Sequence, residues 1–347
     1  MDPTPELSAV RPAHRFDESA LAAWLAEHVA GGAGPLVVRQ FAGGQSNPSF
    51  LLLAGGERRF VLRKAPPGKL LPSAHRVDRE HRVMTALRAT GVPVPRTLGL
   101  CQDASLIGTP FFVMEYVPGR ILRDATLPDA PPAERAATFE AMLDVLARLH
   151  AVDPGAVGLA DFGKPGNYFA RQVARWSQQW ALSKTGEVPA MDALLDWLPR
   201  HVPADDETAL VHGDYRLGNL ILDAREPRVV AVLDWELSTL GHPLADLAYH
   251  CIFDVIGAGL EGSGDARRPG IPSEAEVVAS YARRTGRDPG SAWSFCLAFS
   301  LFRLAAITQG VYARGLQGNA PSDTATEAGA RVALLAERAM TFACRAG

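Results

Sequence analysis

Cysteine is scarce in this chain of 347 residues. Four occur, at Cys101, Cys251, Cys296 and Cys344, and no two form a C-x-x-C pair. That pattern reads as buried thiols in a reducing compartment rather than as a disulfide framework. No run of about 18 apolar residues exists, so no membrane span is expected. The opening residues, Met1 to Glu6, have neither a basic n-region nor an apolar h-region, which argues against a secretory signal and for the cytoplasm. Charge of one sign is not concentrated either. The net charge is −3 with acids and bases interspersed, so no nucleic-acid partner is expected. No internal repeat and no low-complexity tract is visible. H-E-x-x-H, G-x-S-x-G and G-x-x-x-x-G-K are all missing, which removes the common zinc-protease, serine-hydrolase and P-loop chemistries.

Apolar residues make up 47% of the chain and charged residues 21%, as in an ordinary globular protein. The length allows one large domain or two lobes sharing a cleft. Residues 1–16, rich in Pro and charge, read as a loose arm. Asp17-Glu18-Ser19 then caps a helix with Leu21, Trp24, Leu25 and Val29 on one face, closed by Gly31-Gly32. Strand-like runs at Leu36–Phe41, Ser49–Ala54 and Arg59–Lys64, separated by Gly-containing turns, predict an antiparallel meander. A helix at about 75–90 and strands near Arg96–Gln102 and Phe111–Tyr116 complete the β-rich part. Beyond Pro118-Gly119, helical spacing dominates at about 132–151, 167–182, 189–200, 274–285, 291–315 and 323–345. A short strand pair, Leu220–Leu222 and Val229–Leu233, interrupts these helices. The expectation is a two-lobed α+β protein, with an N-terminal lobe over 1–116 and a helical lobe over 117–347. Gly257–Pro272 reads as a long loop.

The most informative stretch is Leu210-Val211-His212-Gly213-Asp214-Tyr215-Arg216-Leu217-Gly218-Asn219, with Val230-Ala231-Val232-Leu233-Asp234-Trp235-Glu236 after it. His212, Asp214 and Asn219 match the H-x-D-x-x-x-x-N spacing of kinase catalytic loops, and Asp234 follows a strand as a kinase metal-binding Asp does. Phosphoryl transfer needs a hydroxyl aligned and its proton accepted late, and one carboxylate can do both; Asp214 is the candidate. Magnesium prefers hard oxygen ligands, which Asn219 and Asp234 supply. Arg216 stands two residues after Asp214, where a cation can reach the transferring phosphate. His-Gly-Asp alone reads as a turn, and Asp-Trp-Glu alone as a strand end. The chemistry is carried by their order and spacing.

These residues resemble the aminoglycoside phosphotransferase family, the choline-kinase-like small-molecule kinases. Val211–Leu222, Leu233–Glu236 and Gly241-His242-Pro243-Leu244-Ala245-Asp246-Leu247-Ala248 carry the match, and the resemblance extends over roughly residues 36 to 315. It implies a bilobal protein-kinase-like fold with an antiparallel-sheet N-lobe and a mainly helical C-lobe, ATP and Mg2+ as donor and metal, and a small-molecule hydroxyl as acceptor. It places the phosphate-covering loop at Phe41–Phe50, where Gly43, Gly44, Ser46 and Asn47 offer amides and a hydroxyl. This loop lacks the G-x-G-x-x-G form, and on residue type alone it is a hairpin turn. The resemblance assigns the ATP-binding cation to the strand Phe60-Val61-Leu62-Arg63-Lys64. Only one of Arg63 and Lys64 can enter a cleft, because adjacent strand residues face opposite ways; the V-L-R pattern favours Arg63. Glu80 becomes its ion-pair partner, though its residue type alone suggests a surface charge. Phe112–Gly119 resembles the hinge, with backbone at Glu115 to Val117 for adenine. Asp246 reads as structural, holding the catalytic loop or capping a helix. Phe299–Arg314 resembles the branch whose kinase domain is fused to acyl-CoA dehydrogenases, which suggests a hydroxylated acyl-CoA as acceptor. Within it, Arg303 stands in an apolar face and either meets an anionic substrate or pairs with a core carboxylate.

Competing readings are a nucleotide-binding pseudokinase with a regulatory role, an aminoglycoside-type antibiotic kinase, a metal-dependent hydrolase built on His212, Asp214, His242 and Asp246, and a protein kinase. A pseudokinase would normally lack one of Asp214, Asn219 and Asp234. The hydrolase needs a denser His and Asp cluster. A protein kinase would show an A-P-E segment and an activation loop after Asp234, and this chain shows neither.

Overall fold

Two apolar periodicities, of two and of 3.6 residues, divide this chain. The computed structural model describes residues 7–42, 47–56, 58–67, 75–257, 268–316 and 322–346. Its strands are β1 (Leu7–Ser8), β2 (Leu36–Phe41), β3 (Ser49–Ala54), β4 (Arg58–Lys64), β5 (Thr97–Cys101), β6 (Phe111–Glu115), β7 (Ala209–Val211), β8 (Leu220–Leu222), β9 (Val229–Val232) and β10 (Thr239–Gly241). Its α-helices are α1 (Glu18–His28), α2 (Val77–Leu87), α3 (Pro132–His150), α4 (Tyr168–Ser183), α5 (Pro189–Trp197), α6 (Pro243–Gly257), α7 (Glu274–Thr285), α8 (Trp293–Leu316) and α9 (Ser322–Ala343). They fall into two units. One comprises Met1–Arg123, Gly155–Leu159 and Leu217–Ser238; the other comprises Asp124–Pro154, Ala160–Arg216 and Thr239–Gly347.

The first unit is a six-stranded antiparallel sheet in the order β1-β2-β3-β4-β6-β5. Strand alternation gives it two unlike faces. Phe50 and Leu52 of β3, Phe60 and Leu62 of β4, and Phe111 and Val113 of β6 point to one face and pack with Leu21, Trp24 and Leu25 of α1. Burying each such Leu or Phe contributes about 1.5–3 kcal/mol. The Asp17 carboxylate caps α1 by accepting from Ser19 and Ala20 N–H, both at 2.9 Å, and worth about 1 kcal/mol. The opposite face carries Val61, Arg63, Phe112 and Met114. Phe112 meets His81 of α2 edge to face, with ring centroids 5.9 Å apart.

The N-terminal arm is ordered from Leu7 onward, contrary to the expectation of a loose segment. Leu7 and Ser8 pair with Phe41 and Gln40 of β2. Gln40 is buried; its Oε1 accepts from Arg11 N–H at 2.9 Å, and its Nε2 lies 2.7 Å from His14 Nδ1. A buried amide left unpaired would cost about 1–3 kcal/mol, and the arm supplies its partners. The ribbon β8–β9 belongs to the same unit. It is tied to the segment after β6 by reciprocal backbone bonds between Arg120 and Leu222, both 2.8 Å.

The second unit is helical. α8 packs against α4, α6 and α9. By length and composition, Gly290–Leu316 would be long and apolar enough to cross a membrane, which the reading of uninterrupted apolar runs did not register; 61% of that window is buried, and packing accounts for its apolar character. Ser273 and Glu276 form a reciprocal capping box at the start of α7. α6 was not expected from the sequence. Residues 243–252 are all buried, so its pattern lacks the polar face by which a surface helix is read. Residues 258–267 of the expected loop lie outside the described residues.

Candidate active site

β4 decides which cation faces the cavity of the first unit. Phe60 and Leu62 are fixed in the α1 core, so Val61 and Arg63 must face the other way and Lys64 returns to the core side. There the Lys64 ammonium lies 5.4 Å from the centre of the Phe16 ring. Arg63 lines a cavity whose walls are all drawn from the first unit. Val61, Met84, Met114, Ile121, Ile221 and Leu233 make its apolar part. Arg63, Glu80, Asn219 and Asp234 make a polar end, and Glu115, Tyr116 and Val117 line it as well. The Glu115 N–H donates to Arg96 O at 2.9 Å, so in the expected hinge that group is already committed.

Around Arg63 the charges are arranged three to one. Its Nε lies 2.6 Å from Glu80 Oε2, its Nη2 bonds Asp234 Oδ1, and Glu236 Oε2 stands 4.0 Å from Nη2. Burial pulls a guanidinium toward neutrality, but Glu80, Asp234 and Glu236 outweigh that and raise the Arg63 pKa. Glu80 is almost fully buried, which removes the surface-charge reading. Its Oε1 accepts from Asn47 Nδ2 at 2.5 Å, and Asn47 Oδ1 lies 3.0 Å from His75 Nδ1. The Asn47 side chain therefore braces Glu80 and does not line the cavity. Gly44 and Ser46 lie outside the described residues.

Asn219 and Asp234 come together through the ribbon. β8 follows Asn219 directly, β9 ends two residues before Asp234, and Leu233 N–H donates to Asn219 O at 2.8 Å. Asp234 has φ +66°, a left-handed conformation that Asp tolerates better than most residues. Buried Trp235 anchors the turn by donating from Nε1 to Val232 O at 3.0 Å. The residues present fit a divalent cation. An amide oxygen and a carboxylate are presented together, and the three carboxylates near Arg63 leave negative charge that one guanidinium does not balance. Glu236 belongs to this cluster although the sequence reading gave it no role. Its place in Asp-Trp-Glu, two residues after Asp234, was the available signal.

The segment expected to be the catalytic loop lies in the second unit, between β7 and the chain's return to the first unit at Leu217. Asp246, in the first turn of α6, accepts from His212 N–H at 2.6 Å and Gly213 N–H at 2.8 Å. Burial pushes this carboxyl up, but His150 and His212 outweigh it and hold it below its ordinary value. Asp214 N–H donates to His212 Nδ1 at 3.2 Å, and Arg216 Nε lies 3.3 Å from Asp214 Oδ2. Arg303, left open between two roles by the sequence, donates from Nη2 to Gly213 O at 2.6 Å. Among the described residues no carboxylate pairs with it.

A model of the phosphotransferase enzyme family matches residues 37–292. The chain belongs to this family. It is 48% identical over 319 residues to acyl-CoA dehydrogenase family member 10 of Mus musculus, an overlap covering 90% of this chain and 30% of that protein. It spans 30–45% of the length of the curated relatives it matches. A solved structure from Ralstonia eutropha JMP134, described as a "putative aminoglycoside phosphotransferase", is 49% identical, with a TM-score of 0.85 over 95% of this chain and 99% of that one. A thermostable mutant of the aminoglycoside phosphotransferase APH(4)-Ia, solved with ADP and hygromycin B, is 18% identical and shares the fold, with a TM-score of 0.58 over 92% of this chain and 98% of that one. The fold of this phosphotransferase family member is accordingly kinase-like, with an antiparallel-sheet N-terminal region and a helical C-terminal region, as its sequence led us to expect. Family and fold together support a small-molecule phosphotransferase.

Proposed function

We propose that this chain transfers the γ-phosphoryl group of ATP, with Mg2+, to a hydroxyl of a small molecule, and that the acceptor class is a hydroxylated acyl-CoA. The observation that carries the donor half is the cavity of the first unit. Apolar walls suited to a purine lead to a polar end holding Arg63, Glu80, Asn219 and Asp234. In this reading Arg63 contacts the nucleotide phosphates and Glu80 orients it. Backbone groups of Tyr116 and Val117, with the Glu115 carbonyl, meet adenine, and Gly44 and Ser46 cover the phosphates. Asn219 and Asp234 hold the magnesium, which offsets the charge of the polyphosphate.

Asp214 aligns the acceptor hydroxyl and accepts its proton as the bond to phosphorus forms. Arg216, beside it, faces the charge that spreads over the transferring oxygens. Several solved neighbours that share the fold at low identity are named for aminoglycosides or macrolides. The curated relatives, at 42–48% identity, carry acyl-CoA dehydrogenase in their names and are longer than this chain, while the Ralstonia structure, at 49%, is named for an aminoglycoside. The recurrence of acyl-CoA dehydrogenase in the curated relatives' names is what favours an acyl-CoA over an aminoglycoside in this reading. An ATP-consumption screen of the purified chain over hydroxylated acyl-CoAs, aminoglycosides, amino alcohols and sugars tests the reading. We expect magnesium-dependent ADP release with a hydroxylated acyl-CoA and a phosphorylated product by mass spectrometry. Turnover on an aminoglycoside alone would overturn the acceptor assignment, and no phosphorylated product from any class would count against the transferase.

A further inference from the structure

Asp214 is a short side chain with two free torsions, and Arg216 approaches one of its oxygens at 3.3 Å. Left to that pull, the carboxylate would spend its charge on a neighbouring cation rather than on an acceptor hydroxyl. Side chains from three helices of the second unit surround this loop. The Tyr249 hydroxyl, from α6, hydrogen-bonds the Asp214 carboxylate. The Arg303 guanidinium, from α8, lies 5.0 Å from the centre of the Tyr249 ring and 5.6 Å from that of Trp176 of α4. The same guanidinium donates to Gly213 O at 2.6 Å, while the Gly213 N–H donates to Asp246 at 2.8 Å. The glycine before Asp214 is thus held at both its N–H and its carbonyl, in a left-handed conformation with φ +83°. Tyr249 and Arg303 are both buried.

We infer that Tyr249 and Arg303 are positioning residues that clamp Asp214, an inference resting on the phosphotransfer reading above. Tyr249 holds the carboxylate against the pull of Arg216. Arg303 holds the Tyr249 ring through its cationic face and the loop through Gly213 O. Burial first, and the Asp214 charge second, push the Tyr249 phenol well above its ordinary value, so it serves as a donor throughout the physiological range. A planar guanidinium can stack on two rings and donate in its own plane at once. An ammonium cannot, so lysine is a poor substitute at this position.

The test is a double-mutant cycle on the purified chain. ADP release from magnesium-ATP is followed with water as acceptor, nucleotide affinity with a fluorescent ATP analogue, and folding by thermal melting. Tyr249→Phe keeps the ring under Arg303 and removes only the hydroxyl. We expect kcat to fall about tenfold with KM for ATP and melting unchanged, and no further fall when the same change is made in Asp214→Asn, because the hydroxyl acts through the carboxylate. Arg303→Lys should lower kcat by a similar factor and leave nucleotide affinity intact. Wild-type kcat in Tyr249→Phe, or an equal loss in the Asp214→Asn background, would overturn the clamp while phosphotransfer stands. A wild-type chain that releases no ADP under any acceptor condition would overturn the phosphotransfer reading, and the clamp with it.

Discussion

Acidification should weaken this fold, and among its buried histidines His250 should contribute most. It follows Tyr249 in α6, is buried, and has no hydrogen-bond partner for Nε2 among the described residues. The rings of Phe139 and Tyr215 flank it at centroid distances of 6.0 and 6.1 Å. Burial pulls its pKa from 6.5 down to about 4. The unfolded chain takes up a proton near 6.5, and the folded chain refuses it until about 4. Between those values the unfolded state binds more protons, so stability is complete above the upper value and is lost as pH falls toward the lower one. Each pH unit in that window costs about 1.4 kcal/mol, and the whole gap about 3 kcal/mol. Urea unfolding of the wild type and of His250→Leu, from about pH 7.5 to about pH 4.5, isolates this contribution. We expect the stability difference to shift by about 2–3 kcal/mol in favour of the leucine variant across that range. Parallel pH profiles would refute the reasoning. Because Tyr215 directly follows Asp214 and donates to Met142 O at 2.7 Å, a charge at position 250 should also disturb the catalytic loop, and transfer should fail on the acid side earlier in wild type than in the variant.

Four other substitutions have expected outcomes. Arg63→Lys replaces a fork spanning Glu80 and Asp234 with a single ammonium; calorimetry should show nucleotide affinity about tenfold weaker and melting a loss of about 1–3 kcal/mol, less than outright removal of one partner of a buried pair, and a variant matching wild type in both would contradict the bridging role. Gly119→Ala would place a Cβ 2.3 Å from Leu222 O at a φ of +157°; displacing the ribbon beside the cavity should cost about 1–3 kcal/mol and weaken nucleotide binding, and an unchanged melting curve would argue against the close approach. Asp234→Ala should abolish the magnesium dependence of nucleotide affinity, whereas Asp214→Ala should leave that affinity in place and lower transfer by about 10²–10⁴; equal ATP affinity with and without magnesium in wild type would show the metal assignment to be mistaken.

The parts of this structure that were legible in the sequence are those written in local patterns. The β2–β3–β4 meander was visible because glycine turns punctuate alternating runs. α1 was visible because Asp17 caps it and glycines end it. The segment from His212 to Asn219 stood out because its residues match a spaced motif of the family to which the chain belongs. What stayed hidden depends on partners distant in sequence. The register of Arg63 against Lys64 is settled only by which face Phe60 and Leu62 bury. Glu80 looked like a surface acid until Arg63 and Asn47 enclosed it. The Leu7 arm looked loose because its order comes from the Gln40 amide, and α6 was missed because a helix buried on all sides has no amphipathic signature. Tyr249 and Arg303 carry no motif; their place beside Asp214 follows from how α6 and α8 pack.

The two outer strands of the six-stranded sheet bear on how copies of this chain meet one another. Among the described residues β1 contributes two, opposite Gln40 and Phe41, and the remainder of β2 presents charged Arg39. At the other border the pairing of β5 with β6 slips between Thr97 and Gly99. A short strand, a charge and a bulge are the features that keep a second chain from zipping onto an open border. Residues 7–16 therefore do more than brace Gln40. Deleting them should leave β2 as a bare template for strand addition, and the first sign of their loss would be self-association rather than unfolding.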